Sequence, residues 1–156
     1  MADVIAVLKK IETLEGRISE LYKWLGSLFS GDQEISSFFN RLSAEEQQHR
    51  NIALYQLRVV RKSPLMFDQI EVAPSFIDEA MANLKHLRDN PTPTIKEALE
   101  LSLELENCLC EEYYSSVMKQ SNPEFAAVID SLASACKDHH RGFLEMASKY
   151  KITQES

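Results

Sequence analysis

The sequence is poor in the residues that interrupt helices, with four glycines and five prolines among 156 residues. Strand-like alternation of polar and apolar residues is also scarce, and the two facts together favour an all-α protein. No apolar run approaches the roughly 20 residues that a membrane-spanning helix needs, so we expect no membrane partner. The length suits one domain with a hydrophobic core, and we predict a single domain over residues 1–156.

Cysteine is equally scarce and lacks the spacing of a disulfide framework or of a cysteine metal site. The first two of the three cysteines, Cys108 and Cys110, form C-x-C rather than the paired C-x-x-C of a zinc or rubredoxin domain. An odd set without framework spacing is typical of a reducing compartment. The N-terminal segment is amphipathic and shows no signal-peptide core, so we expect a cytoplasmic protein.

Acidic residues outnumber basic residues, and the formal net charge is −7. The acidic residues are spread along the chain rather than gathered in a tail. This balance argues against nucleic acid or an anionic membrane as the main partner.

Apolar residues recur at helical spacing in four long segments, and local signals mark the helix ends. The boundary signals are Ser30-Gly31, an N-cap at Asp32, Ser63-Pro64, Ser75 before a short helix over 76–87, a Thr94/Glu97 capping box, and Asn122 with Pro123. Two short loops and one long connection then predict two antiparallel helix hairpins. A crossover that contains the short helix would join them into a four-helix bundle.

Two stretches of the chain repeat one another. The first contains Glu46 and His49 in LSAEEQQH, and the second contains Cys136 and His139 in LASACKDH, 90 residues later. Each is preceded by a glutamate with a tyrosine seven residues on, and these pairs are 91 residues apart: Glu15 with Tyr22, and Glu106 with Tyr113. Among the candidate metal ligands of the repeat, the one mismatch is Cys136, which stands where the first half has Glu46.

The repeated polar residues lie inside the apolar helical seams, near mid-helix. A buried carboxylate without a partner costs several kcal/mol, so these residues need an explanation. One Glu from each of two helices and Glu-x-x-His from each of the other two form the ligand set of di-iron and di-manganese bundles. The pattern therefore predicts a metal site whose ligands are Glu15, Glu46, His49, Glu106 and His139.

With these motifs in place, the chain resembles the ferritin-like superfamily, specifically its rubrerythrin-type branch. The resemblance covers nearly the whole chain outside the crossover and implies an all-α ferritin-like four-helix bundle. It further implies that Glu15 lies near His49, that Glu106 lies near His139, and that Glu46 bridges two ions. Tyr22 and Tyr113 would hold carboxylates by hydrogen bonds.

The resemblance implies iron as cofactor, one or two ions, with O₂ or peroxide as the substrate of an oxidoreductase. No rubredoxin tail is present, so a separate electron donor protein would be needed, and a homodimer is expected. The family pattern places a second bridging glutamate at Cys136. A thiolate there would favour zinc or iron over manganese.

Other readings of the same residues stay open. The bundle could be a non-catalytic interaction or dimerisation protein with a degenerate metal site, or a redox switch that uses Cys110 and Cys136. The remaining polar candidates are expected to face solvent; these are His86, His140, Glu45, Glu100 and Glu104.

Overall fold

Five α-helices account for most of the chain in the computed structural model, which describes residues 4–62, 75–119 and 123–150. Helix α1 is Val4–Leu28, α2 is Gln33–Lys62, α3 is Ser75–Arg88, α4 is Ile95–Lys119 and α5 is Pro123–Lys149. No strand occurs within these described ranges. The prediction of an all-α ferritin-like bundle with a short helix in the crossover is confirmed. That the domain extends over residues 1–156 stays a prediction.

The helix boundaries follow the predicted local signals where the structure describes them. Asp32 caps α2, since its Oδ1 accepts a hydrogen bond from the backbone N–H of Ile35 at 3.2 Å. Thr94 and Glu97 form the expected capping box: Glu97 N–H donates to Thr94 Oγ1 at 3.1 Å, and Thr94 N–H donates to Glu97 Oε1 at 3.2 Å. The predicted N-cap at Asn122 lies outside the described residues.

The helices pair as two hairpins, α1 with α2 and α4 with α5, and α2 also contacts α5. Short helix α3 packs against both α1 and α4. The apolar faces of these helices form one buried core, and its largest fully buried side chains include Tyr22, Phe39 and Phe143. The predicted seam residues whose side chains the structure describes are buried or half-buried.

An aromatic cluster joins the two hairpins at one end of the core. Phe143 of α5 contacts Phe38 of α2 edge-on, with ring centroids 5.1 Å apart, and it also lies 6.1 Å from the ring of Tyr22 in α1. Such spacings lie in the range of favourable aromatic pairs. Because the ring of Tyr22 belongs to this cluster, the cluster fixes the position of its hydroxyl group.

A pair of serines holds α1 and α2 in register. Ser43 Oγ donates to the backbone oxygen of Ser19 at 2.7 Å, and Ser19 Oγ donates to the backbone oxygen of Ser43 at 2.8 Å. Ser19 lies one turn after Glu15, and Ser43 lies about one turn before Glu46. The reciprocal bonds therefore place these two glutamates at the same depth.

Among the described residues, no helix combines the length and the apolar character that are required to cross a bilayer.

Phe143→Ala should destabilise the metal-free protein by about 3–5 kcal/mol, because it leaves a cavity in the aromatic cluster between the hairpins. Urea unfolding followed by circular dichroism would measure the change. Tyr55, whose side chain is 65% exposed, provides the matched control. Tyr55→Ala should change the free energy of unfolding by less than about 0.5 kcal/mol, and equal losses in both variants would contradict the assignment of Phe143 to the core.

Candidate metal centre

The first group of polar side chains comes from the hairpin of α1 and α2. Glu15 projects from the middle of α1, and Glu46 and His49 project from α2, one helical turn apart. All three are buried. His49 Nδ1 lies 3.2 Å from Glu46 Oε2 and 3.7 Å from Glu15 Oε2. We call these three residues the first cluster.

The second group draws on three helices. Glu46 of α2 meets Glu106 of α4 and His139 of α5, and all three are buried. His139 Nδ1 lies 2.9 Å from Glu46 Oε1 and 3.5 Å from Glu106 Oε1. We call these residues the second cluster. In each cluster one candidate ligand atom per residue lies within 4.8 Å of the others.

Glu46 belongs to both clusters and presents a different oxygen to each. Its Oε2 faces His49 and its Oε1 faces His139, and the two imidazole rings stack with centroids 5.3 Å apart. A carboxylate placed in this way has the geometry to bridge two ions. All five residues predicted from the sequence are thus brought together, while their role as ligands stays a prediction.

The chemistry of the donor set fits a metal ion. In the part of the chain that the structure describes, the buried atoms Glu106 Oε2 and His139 Nδ1 face this centre without making a hydrogen bond. The nitrogen is only 2.9 Å from Glu46 Oε1, yet the contact lacks hydrogen-bond geometry. Buried polar atoms are normally satisfied, and a carboxylate oxygen and an imidazole nitrogen that are left without hydrogen bonds in one buried region suit a divalent cation.

Burial shifts the proton affinities of the first cluster. Loss of solvent raises the pKa of Glu15 to about 8, and the charge of Glu46 adds to the effect. Burial alone would lower the pKa of His49, but hydrogen bonds and charge from Glu15 and Glu46 outweigh it and raise that pKa to about 10. Without metal, both groups therefore carry protons at neutral pH.

The second cluster behaves in the same way. Burial alone would lower the pKa of His139, but its contacts with Glu106 and Glu46 outweigh this effect and raise that pKa to about 11. Burial by itself would raise the pKa of Glu46, but its contacts with Glu15, His139 and His49 keep the net pKa below the ordinary value. A metal ion that binds here must displace protons, so metal affinity should increase with pH.

Tyr22 supports the second cluster from outside. Its hydroxyl donates a hydrogen bond of 2.6 Å to Glu106 Oε1, and both residues are buried. This is a contact of the kind that the family resemblance implies for Tyr22. The corresponding residue in the other half, Tyr113, has a side chain outside the described part of the structure, as do Cys108, Cys110 and Cys136.

The position of Glu45 differs from the prediction made from the sequence. We predicted that it faces solvent, but its Oε2 lies 2.6 Å from His139 Nε2, and its side chain is only 39% exposed. Residue 45 is one position before Glu46, about 100° around α2, and that flank of the helix faces α5. The sequence signal was a second glutamate next to Glu46, which itself lies three residues before His49. Periodicity within one helix, however, does not show which side of that helix meets a second hairpin.

The other residues expected to face solvent differ in exposure. His86 and Glu104 are exposed, while His140 and Glu100 are half-buried. None of these four belongs to either cluster.

A helical bundle with buried glutamates and histidines from four helices around a shared carboxylate defines the ferritin-like class of metal-binding proteins. Within that class, the Rubrerythrin family model matches residues 10–147, and the chain belongs to the rubrerythrin family. Comparisons with curated proteins and with solved structures found no match. Family and site together identify a metal-binding ferritin-like protein.

The stability of the metal-free protein should fall as the pH rises from about 6 to about 10. Glu15, His49 and His139 have pKa values of about 8, 10 and 11 in the folded chain, against ordinary values of 4.5, 6.5 and 6.5. In this window the folded chain keeps protons that the unfolded chain has released, so increasing pH favours unfolding. Thermal melting across this pH range would measure the slope.

Two comparisons make this measurement decisive. The double variant His49→Gln, His139→Gln should lose most of the slope, because both raised imidazole pKa values are removed. Saturating metal should reverse the sign, because its ligands bind more tightly when deprotonated. A metal-free protein with constant stability over the range would contradict the pKa assignments.

Tyr22→Phe should destabilise the metal-free protein by about 1–3 kcal/mol, since it leaves a buried oxygen of Glu106 without its donor. Denaturant unfolding would give the value. Tyr55→Phe removes the same hydroxyl group from an exposed ring and should be neutral. If the two variants were equally stable, the hydrogen bond between Tyr22 and Glu106 would contribute nothing.

Proposed function

We propose that this protein binds iron, up to two ions, at the two clusters and acts as an oxidoreductase on O₂ or peroxide. The ligands would be Glu15, Glu46, His49, Glu106 and His139. The observation that carries the proposal is the position of Glu46, whose two oxygens face the histidines of different clusters.

The charges of the site support two divalent ions. Three carboxylates and two imidazoles converge in a buried region, and deprotonated carboxylates offset most of the charge of two dications. Iron, when bound, supplies reversible electron transfer to O₂ or to peroxide. Glu15 and Glu106 would each hold one ion from the outside, while Glu46 would contact both.

The surrounding residues would keep this arrangement fixed. Tyr22 orients Glu106 by its hydrogen bond, and the buried position of all five ligands keeps bulk water away from the ions. The three cysteines fall one short of the four thiolates of a rubredoxin-type iron site. We propose that electrons come from a separate donor protein and that the chain works as a homodimer, as the family resemblance implies.

A second function is favoured by residue 136. Where the first half has Glu46, the second half has Cys136, so the repeat supplies one bridging carboxylate fewer. The alternative is a bundle that binds one ion, with zinc favoured by a thiolate, and that performs no chemistry on O₂. Metal stoichiometry separates the two functions.

The test is anaerobic titration of metal-free protein with Fe²⁺, followed by mass-spectrometric metal analysis and by the rate of Fe²⁺ oxidation on adding O₂ or H₂O₂. We expect two irons per chain and oxidation faster than that of free Fe²⁺. Glu46→Gln should lower the iron content to one ion or fewer, because the variant removes the charge shared by both positions. Glu104→Gln, which changes an exposed glutamate of α4, should match the unaltered protein.

Other results of the iron titration would distinguish the two proposed functions. Two irons that oxidise no faster than free iron would remove the oxidoreductase function and leave iron binding. One ion per chain, or a preference for zinc, would support the alternative. A chain that binds no metal would overturn both.

A further inference from the structure

Both ring nitrogens of His139 lie close to carboxylate oxygens, and these contacts determine which nitrogen can bind a metal. Its Nε2 lies 2.6 Å from Glu45 Oε2, and a carboxylate oxygen accepts hydrogen bonds, so Nε2 is the donor. Nδ1 then faces Glu46 and Glu106 at 2.9 and 3.5 Å. When metal binding displaces one proton from the ring to solvent, Glu45 would retain the proton at Nε2 and leave the lone pair of Nδ1 directed into the second cluster.

Both terminal ligands of the second cluster are therefore positioned before any ion binds. Glu45 orients His139, and Tyr22 holds Glu106 at 2.6 Å. Partners of this kind fix the tautomer and the orientation of a ligand, and their loss typically costs 10–100-fold in metal affinity, as an order of magnitude.

The internal repeat places no carboxylate at the sequence position that corresponds to Glu45 in the other half. The offset of 90 residues relates Glu46 to residue 136 and His49 to His139, so it relates Glu45 to Ala135. Ala135 lies one position before residue 136 in α5, as Glu45 lies one position before Glu46 in α2. An alanine side chain is a methyl group, which accepts no hydrogen bond, so this position gives His49 no orienting carboxylate.

We propose that the two metal positions are unequal, that the second cluster fills first, and that Glu45 is the positioning residue that sets this order. The inference rests on the proposed function, since it takes the clusters to bind metal. It adds that one half of the site binds metal tightly and the other half binds it more weakly, by roughly 10–100-fold.

The order of filling can be measured by titrating metal-free protein with Co²⁺, using calorimetry for the affinities and the visible absorption of Co²⁺ for ligand geometry. The unaltered protein should show a tight step and a weaker step. His139→Gln should lose the tight step, whereas His49→Gln should keep it and lose the weaker one. The opposite pattern, or two steps of equal affinity, would overturn the inference.

The positioning role has its own variants. Glu45→Gln should weaken the tight step by about 10–100-fold and leave the weaker step unchanged, with Glu104→Gln as the control for loss of an exposed charge. Ala135→Glu should strengthen the weaker step, because it restores the missing counterpart. Ser134→Glu adds the same charge at the neighbouring, exposed position of α5 and should not strengthen it.

Failure of the inference is distinguishable from failure of the proposed function. If the unaltered protein binds two ions and Glu45→Gln changes neither step, the order of filling is not set by Glu45 and metal binding stands. If the unaltered protein binds no Co²⁺, Zn²⁺ or Fe²⁺, the clusters are not a metal site and both conclusions fall. Glu45→Gln keeps the test valid even if Ala135→Glu does not fold.

Discussion

The burial of Glu46 between two histidines is the constraint on which the rest of the site depends. Its carboxylate is almost fully inaccessible, yet its pKa lies below the ordinary value. That combination requires compensation, because burial by itself disfavours a charged carboxylate. Glu15 and His49 of the first hairpin and His139 of the second supply the compensation, so the two hairpins must be docked before Glu46 is fully satisfied.

The same electrostatic coupling explains why the core tolerates so many titratable groups. Without metal, Glu15 retains its proton and the two imidazoles carry positive charge, which offsets the ionised carboxylates around them. A pair of divalent cations could replace this positive charge. Either protons or metal ions could thus supply the positive charge of this site, and the pH would determine which of them is bound.

Much of this arrangement was predictable from the sequence. The broken apolar seam located Glu15, and the doubled motif located Glu46, His49 and His139, because a polar residue at a core position stands out against helical periodicity. The capping signals at Asp32 and Thr94 were equally direct. These features are local, so one helix is enough to reveal them.

The contact between Glu45 and His139 was not predictable by the same means. Helical periodicity assigns residue 45 to the edge of a seam, and whether such an edge meets solvent or another helix depends on how the hairpins dock. Helical periodicity also does not predict the hydrogen bond between Tyr22 and Glu106, because the two residues are 84 positions apart. Only the family resemblance indicated that Tyr22 holds a carboxylate. Contacts between hairpins were visible only once the helices were assembled.

The reciprocal serine bonds between α1 and α2 also have a mechanical consequence. Sliding or rotating one helix against the other would break two hydrogen bonds at once, one on each backbone. The relative positions of α1 and α2 on this side of the metal centre are therefore restrained. Any change in the separation of the ligands, such as one that follows a change in ionic radius, would have to be taken up by movement of α4 and α5.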